Sequence, residues 1–228
     1  WSSYIDISLS ANQQNQDFRF TRTTFSGQNA TNIATINDRN PKRSVGTIRI
    51  GTTYAFGQSS LSLGANGYFN NWSMDASSTA EITKNQKYDN TILSTQTEKN
   101  EWQHGGLSLG FTHKFANKSL LNISSDLMSY TTENPTIYTN NFLLPVMETD
   151  IAANSKSFKS TPILVLVNAI DYEYKLGRFN LESGAKLTLS SFDNDASVDY
   201  QINNVWVRQP QYSSYAAMKE NIVAADSS

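Results

Sequence analysis

The sequence predicts an all-β fold of antiparallel, meandering strands, and three observations predict it. Apolar and polar residues alternate over several stretches, pairs of such stretches are joined by very short polar breaks, and long polar segments separate the pairs. A period of two places successive side chains on opposite faces, so each stretch has one apolar and one polar face. Tight turns at one end and long connections at the other give the layout of a transmembrane β-barrel with short periplasmic turns and long extracellular loops. About eight strands are expected, forming part of a larger barrel.

The elements follow in order. "YIDISL" puts Ile5, Ile7 and Leu9 in phase, and residues 11–45 are read as the first long loop, with "DFRFTRTTF" (17–25) as a strand extension or a short loop strand. Ile48, Ile50, Tyr54 and Phe56 share a face, a tight turn falls near 57–60, and Leu61, Leu63, Ala65 and Phe69 resume the pattern, as in a hairpin with a short connection. Residues 73–100 form the second long loop. Leu107, Leu109, Phe111 and Phe115 lead to a turn near 116–119, after which Leu121, Ile123 and Leu127 continue in phase. The third long loop spans 131–160. Ile170, Tyr172, Tyr174 and Leu176 precede a turn at 177–178, Phe179, Leu181, Ala185, Leu187 and Leu189 follow it, and 193–213 is the fourth long loop. The three tight turns recur about sixty residues apart, a regularity that a single wall of similar hairpins explains.

Composition agrees. Of 228 residues, only 38% are hydrophobic and 17% charged, a thin supply of core-forming side chains for a soluble domain of this size but an expected one if polar strand faces line a wet lumen. The chain is therefore read as one partial barrel domain, 1–228. A net charge of -2 gives no basic excess, so a nucleic-acid partner is not expected. The basic run Arg39, Lys42 and Arg43 reads as a solvated loop. With no cysteine there is neither a disulfide framework nor a thiolate ligand or nucleophile. The longest apolar run, 162–170, falls well short of the ~18 residues of a spanning helix. Trp1 opens directly into a strand pattern, so the chain is expected to be an excised piece of a longer protein or one that is not exported.

Opposite the apolar residues stand the candidate lumen-facing polar groups Arg49, Lys114, Asp126, Asp171, Glu173, Glu182 and Lys186. Facing charges among them are expected to pair across strands and fix register. Aromatics suggest two belts: Tyr54, Phe56, Phe111, Phe115, Tyr172, Tyr174 and Phe179 near the tight turns, and Phe69, Trp72, Trp102, Tyr130 and Phe192 near the long loops, as at two membrane interfaces. An enzyme is not expected. Of the two histidines, His113 shares the parity of Phe111 and Phe115, and His104, with Glu101 nearby, has no nucleophile signature beside it,. "DNDASVD" (193–199) lacks the glycine and closing glutamate of a calcium loop,. Catalytic, cofactor-binding and metal-ligating residues are thus not assigned, and no cofactor is expected.

The stretch from Lys159 to Tyr200 carries a family resemblance. Asp171 and Tyr172 end a strand, Leu181, Glu182, Gly184, Ala185 and Lys186 follow the turn, and Asn194 and Asp195 open the next loop. With "GLSLGFTHKFANKSLLNISSDLMSY" upstream and "KENIVAA" (219–225) downstream, the chain resembles the Bacteroidetes-type outer-membrane β-barrel family, relatives of TonB-dependent receptors. Ala216, Ala217, Met218 and Asp226 depart from the family pattern around the last strand, so its register is not fixed by the resemblance. The resemblance implies a mid-barrel fragment in the bacterial outer membrane, part of a receptor or transporter for a ligand the sequence does not identify. It also implies outer-membrane lipid as one partner, and as another a TonB-type energising complex acting through a plug domain absent from this segment. Two competing readings are a soluble β-sandwich, as in an adhesin or carbohydrate-binding module, and an outer-membrane hydrolase.

Overall fold

The computed structural model describes residues 1–143, 154–176 and 179–227. Its strands are β1 (Ser2–Gln13), β2 (Gln16–Ser26), β3 (Asn29–Phe56), β4 (Ser59–Lys84), β5 (Lys87–Lys114), β6 (Leu120–Glu133), β7 (Thr136–Phe142), β8 (Asn154–Leu176), β9 (Phe179–Ile202), β10 (Val205–Arg208) and β11 (Ser214–Ser227). All join one eleven-stranded sheet, and every pairing is antiparallel. Three wall positions are shared by two strands end to end. β1 and β2 lie along the same edge of β3, β6 and β7 along β5, and β11 and β10 along β9. The sheet therefore has the eight wall positions the alternation predicts, with β2, β7 and β10 as upper continuations.

Register makes the two faces continuous. Ile5, Ile50, Ala65, Leu107, Leu127, Leu166 and Leu189 stand directly opposite one another in a single row across seven strands. Two rows nearer the turns, Leu61, Phe111, Ile123, Ile170 and Ala185 form another. Cross-strand neighbours on one face are the unit of sheet stabilisation, and here they build a broad apolar face. That face is uncovered: Leu107 is 60% exposed, and among the described residues Met74 is the buried hydrophobic side chain, at 7%. A sandwich would cover such a face with a second sheet, but all the described strands belong to one sheet. The soluble-sandwich reading is corrected on that ground.

The tight turns fall where the alternation breaks. Gly57, at φ +57°, begins the two-residue β3–β4 turn, a left-handed position that suits glycine. The β5–β6 turn is closed by a hydrogen bond from the Lys118 amide to the Phe115 carbonyl at 2.9 Å. The Asn117 side-chain oxygen accepts the Ser119 amide at 3.1 Å, and Tyr172 donates to Ser119 Oγ at 3.2 Å. The predicted turn at 177–178 lies outside the described residues.

The segments read as long loops have a different form. Residues 11–45 and 73–100 are almost wholly strand, interrupted at residues 14–15 and folded back at Gly27–Gln28 and Asn85–Gln86. Within 131–160, β7 occupies Thr136–Phe142, and residues 144–153 lie outside the described part. Within 193–213, β9 turns at Asn203–Asn204 into β10, followed by a 3-10 turn at Pro210–Tyr212. The physical reason is that both faces of these extensions are polar. Backbone groups still require partners, which a hairpin ladder supplies, yet with polar side chains on either side no apolar period marks the strand.

Asn85 and Gln86 both have positive φ, 49° and 63°, the combination of a type I′ hairpin turn, which favours Asn-Gly. Asn85 fits and further caps the ladder, its Oδ1 accepting the Ala30 amide at 2.8 Å. Gln86 carries the cost of a β-carbon in a left-handed position, roughly 1 kcal/mol. Gln86→Gly is expected to raise the urea-unfolding midpoint of the refolded protein modestly, and an unchanged or lower midpoint would show that the turn is not strained.

The last strand settles its register against β9, with Lys219, Asn221 and Val223 opposite Ser191, Leu189 and Leu187, and Glu220, Ile222 and Ala224 opposite Ser190, Thr188 and Lys186. This puts Asn221 and Val223 on the apolar face and Ile222 on the polar one, so β11 alternates less cleanly than its neighbours.

Candidate functional site

The polar face is where chemistry collects, and it divides into two zones. Near the tight turns, Asn122, Asp171, Gly184 and Asp226 form one cross-strand row. Leu120, Glu173 and Glu182 continue from Lys114 in the next. Gly184 makes this row possible. A β-carbon there would lie 2.8 Å from an Asp171 carboxylate oxygen and 2.9 Å from one of Asp226. Lys186 stands opposite Ala169 and Ala224. Arg49 and Asp126 lie farther from the turns, in the rows of Asn66 and Ser108.

All seven predicted polar residues therefore share one face, but they do not pair as expected. Among the described residues the ion pairs are Lys84–Asp89, Lys156–Asp199 and Arg208–Asp199, none involving the seven. Register is the cause: Glu173 stands opposite Glu182 and Lys175 opposite Asn180, so like or neutral partners occupy the close positions where opposite charges would attract. No group of three or more metal-ligating side chains occurs among the described residues.

Farther up, the polar face becomes aromatic. Thr47, Tyr68, His104, Tyr130, Ile163 and Phe192 form one row, with the His104 ring stacked on Tyr130 at 4.4 Å between centroids. On β4 and β5, Asn70 faces Trp102 and Trp72 faces Asn100, a two-by-two block with tryptophans on one diagonal and asparagines on the other. Arg43 faces Trp72 from β3 and donates from Nε to Asn70 Oδ1 at 2.8 Å. Above the block, Gln96 Nε2 donates to Glu98 Oε2 at 2.9 Å and to the Tyr138 hydroxyl at 3.2 Å. Burial, then the Glu98 carboxylate, push the Tyr138 phenol above its ordinary pKa,. A groove of about 660 Å³ runs along this surface, lined by the block together with Arg39, Met74, Gln96 and Glu98.

The upper aromatic belt is thereby corrected. Phe69 does lie on the apolar face, over Gly46, but Trp72, Trp102, Tyr130 and Phe192 stand on the polar face. Parity carried the signal, since Trp102 is an odd number of residues from Leu107, and Trp72 from Phe69. The lower belt does lie on the apolar face, with ring contacts running from Trp1–Tyr54 through Tyr54–Phe56, His113–Phe115 and Phe115–Tyr172 to Tyr172–Tyr174. His113 accepts or donates a 2.7 Å hydrogen bond with Ser59. Glu101 faces Asn71 and Glu133 on the apolar side, so it does not share a face with His104.

Residues 113–225 match the model of the outer membrane protein beta-barrel family. A search of curated proteins gives no match. Among solved structures, the chain is similar to the ferric yersiniabactin uptake receptor FyuA from Yersinia pestis, at 7% identity and TM-score 0.36 over 95% of this chain and 42% of that one. It is also similar to the ferric citrate transporter FecA in its unliganded form, at 12% identity and TM-score 0.29 over 96% and 43%. The chain thus spans less than half the length of either. The family match and the two-faced antiparallel sheet place the chain in the bacterial outer membrane,.

Proposed function

We propose, for this outer-membrane wall, that the polar face lines the lumen of a receptor or channel for solute uptake, with the hairpin extensions on the extracellular side. The observation that supports the reading is the division of faces, kept best from β1 to β6 and blurred in β8, where Ile163, Val165 and Val167 join the polar face, and in β11. From His113 to Gln103 the apolar face spans eleven strand residues, which at the usual rise and tilt amounts to about 25 Å, the height of a bilayer's apolar band. Arg49, Asp126, Asp171, Glu173, Glu182, Lys114 and Lys186 then border a water-filled path, where unpaired charges remain hydrated instead of carrying the cost of burial. Outer-membrane lipid is the partner of the apolar face, and a TonB-type energising complex would act through a plug outside these residues.

The chain contains no cysteine, which makes single-cysteine labelling a clean test. In intact outer membranes, Ser108→Cys is expected to react with a membrane-impermeant maleimide, and Leu109→Cys is expected to be protected. Labelling of Leu109→Cys in preference to Ser108→Cys would reverse the assignment of faces and end the lumen reading.

A further inference from the structure

We infer that the block of Asn70, Trp72, Asn100 and Trp102, with Arg43 and Glu98 at its margins, is a binding site for a neutral saccharide entering the lumen. The inference rests on the polar face being open to water inside the barrel, and it adds a ligand class to that reading. Tryptophan on a strand face normally seeks cover, and at a membrane interface it would lie against lipid. Here both indoles are on the opposite face, and Trp102 is 50% exposed.

The pattern around them is specific. Trp72 and Trp102 sit at diagonal positions of adjacent strands, each directly opposite an asparagine. Diagonal neighbours are about 7 to 8 Å apart, enough for two flat apolar patches to underlie successive rings of one chain of sugars. A pyranose has an apolar face of C–H bonds that stacks on an aromatic ring, and a rim of hydroxyls that each donate and accept. The rim here has both functions. Arg43 keeps donors beyond the Nε committed to Asn70,. The Glu98 carboxylate accepts from Gln96 and, at 3.3 Å, from Asn134 Nδ2, which holds it in place. Asn100 Oδ1 is buried without a hydrogen-bond partner, as is His104 Nε2 in the neighbouring row. A buried unpaired acceptor is costly in a finished structure, so the Asn100 amide gains by turning toward the open side of the block, where a ligand hydroxyl would meet it.

Charge favours a neutral ligand over an anionic one, because Arg43 is offset by Glu98, Arg39 is engaged by the Phe18 ring at 4.7 Å and by the Asn37 side chain, and the remaining polar groups are amides. The groove, at about 660 Å³, falls in the range of small-molecule sites, roughly 300 to 1,000 Å³, and suits a short oligosaccharide.

The test is intrinsic tryptophan fluorescence of the full protein in detergent, titrated with maltotriose, mannotriose and triacetylchitotriose, with trigalacturonate and trialanine as acidic and peptide controls. At least one neutral trisaccharide is expected to shift the emission saturably. Trp102→Ala is expected to weaken that binding by about tenfold or more, as for an aromatic anchor at a site's centre, and Trp72→Ala similarly. Tyr4→Ala, on the polar face nearer the tight turns, should leave it unchanged. Calorimetry reads the variants that remove an indole. Binding confined to trigalacturonate or trialanine, neutral binding unaffected by both tryptophan changes, or no binding across the panel would each overturn the inference. The Ser108→Cys labelling separates the failures: if it still reacts, the lumen reading stands and only the ligand class falls.

Discussion

Leu109→Arg is expected to block assembly into the outer membrane, whereas Ser108→Arg, one residue away, should assemble like the parent chain. Leu109 faces Leu63 and Ser125 in the middle of the apolar face, and Ser108 faces Gly64 and Asp126 on the other. An arginine turned toward lipid near the bilayer midplane costs about 2 to 4 kcal/mol, a large fraction of a typical domain's net stability. At Ser108 the same side chain meets water and gains Asp126 as a neighbour. Heat-modifiable migration on gels and membrane fractionation read the outcome. Equal damage at both positions would mean that the two faces do not differ in environment.

The second large effect is expected at Gly46. A β-carbon built there would come within 2.2 Å of the Phe69 ring and 2.9 Å of Leu9 Cδ2. The ring lies over the glycine and closes a gap in the sheet surface, a device by which an aromatic neighbour compensates for a strand glycine. Gly46→Val would evict Phe69, at a cost of about 1 to 3 kcal/mol as for overpacking elsewhere. Phe69→Ala alone should destabilise less, and the double substitution should be milder than the sum, because the worst of the clash disappears with the ring and only the flexible end of Leu9 must shift,. Urea midpoints of the four proteins test this; strict additivity would show that ring and glycine are independent.

How much of this was legible in the sequence depends on how far the two faces of each strand differ. Leu107, Leu109 and Phe111 alternate with Ser108 and Gly110, so the period, the turns after Phe56 and Phe115 and the sharing of a face could be read. Above Trp72 and Trp102, both faces are largely polar. Thr79, Glu81 and Thr83 then differ little from Ser78 and Ala80, and strands there look like loops. Shared face was therefore legible for Asp171, Glu173 and Glu182, but partners were not, because opposition across strands depends on register, which the local pattern leaves open. The tryptophan block was hidden differently: proximity to the loops suggested a membrane interface, whereas counting residues from Leu107 would have given the correct side.

The long β4–β5 hairpin has one more implication. From Met74 to Lys84 it continues past the block for eleven residues, roughly 35 Å of ladder, before closing at Asn85 and Gln86. Alone, a closed ladder of that kind would behave as a cantilever anchored in the wall. Its tip is not free, because β3 pairs with it up to Lys84 and Asn85 exchanges hydrogen bonds with Ala30 and Asn29, so the β2–β3 and β4–β5 tips form one unit and a sequence change in either has to be accommodated by the other.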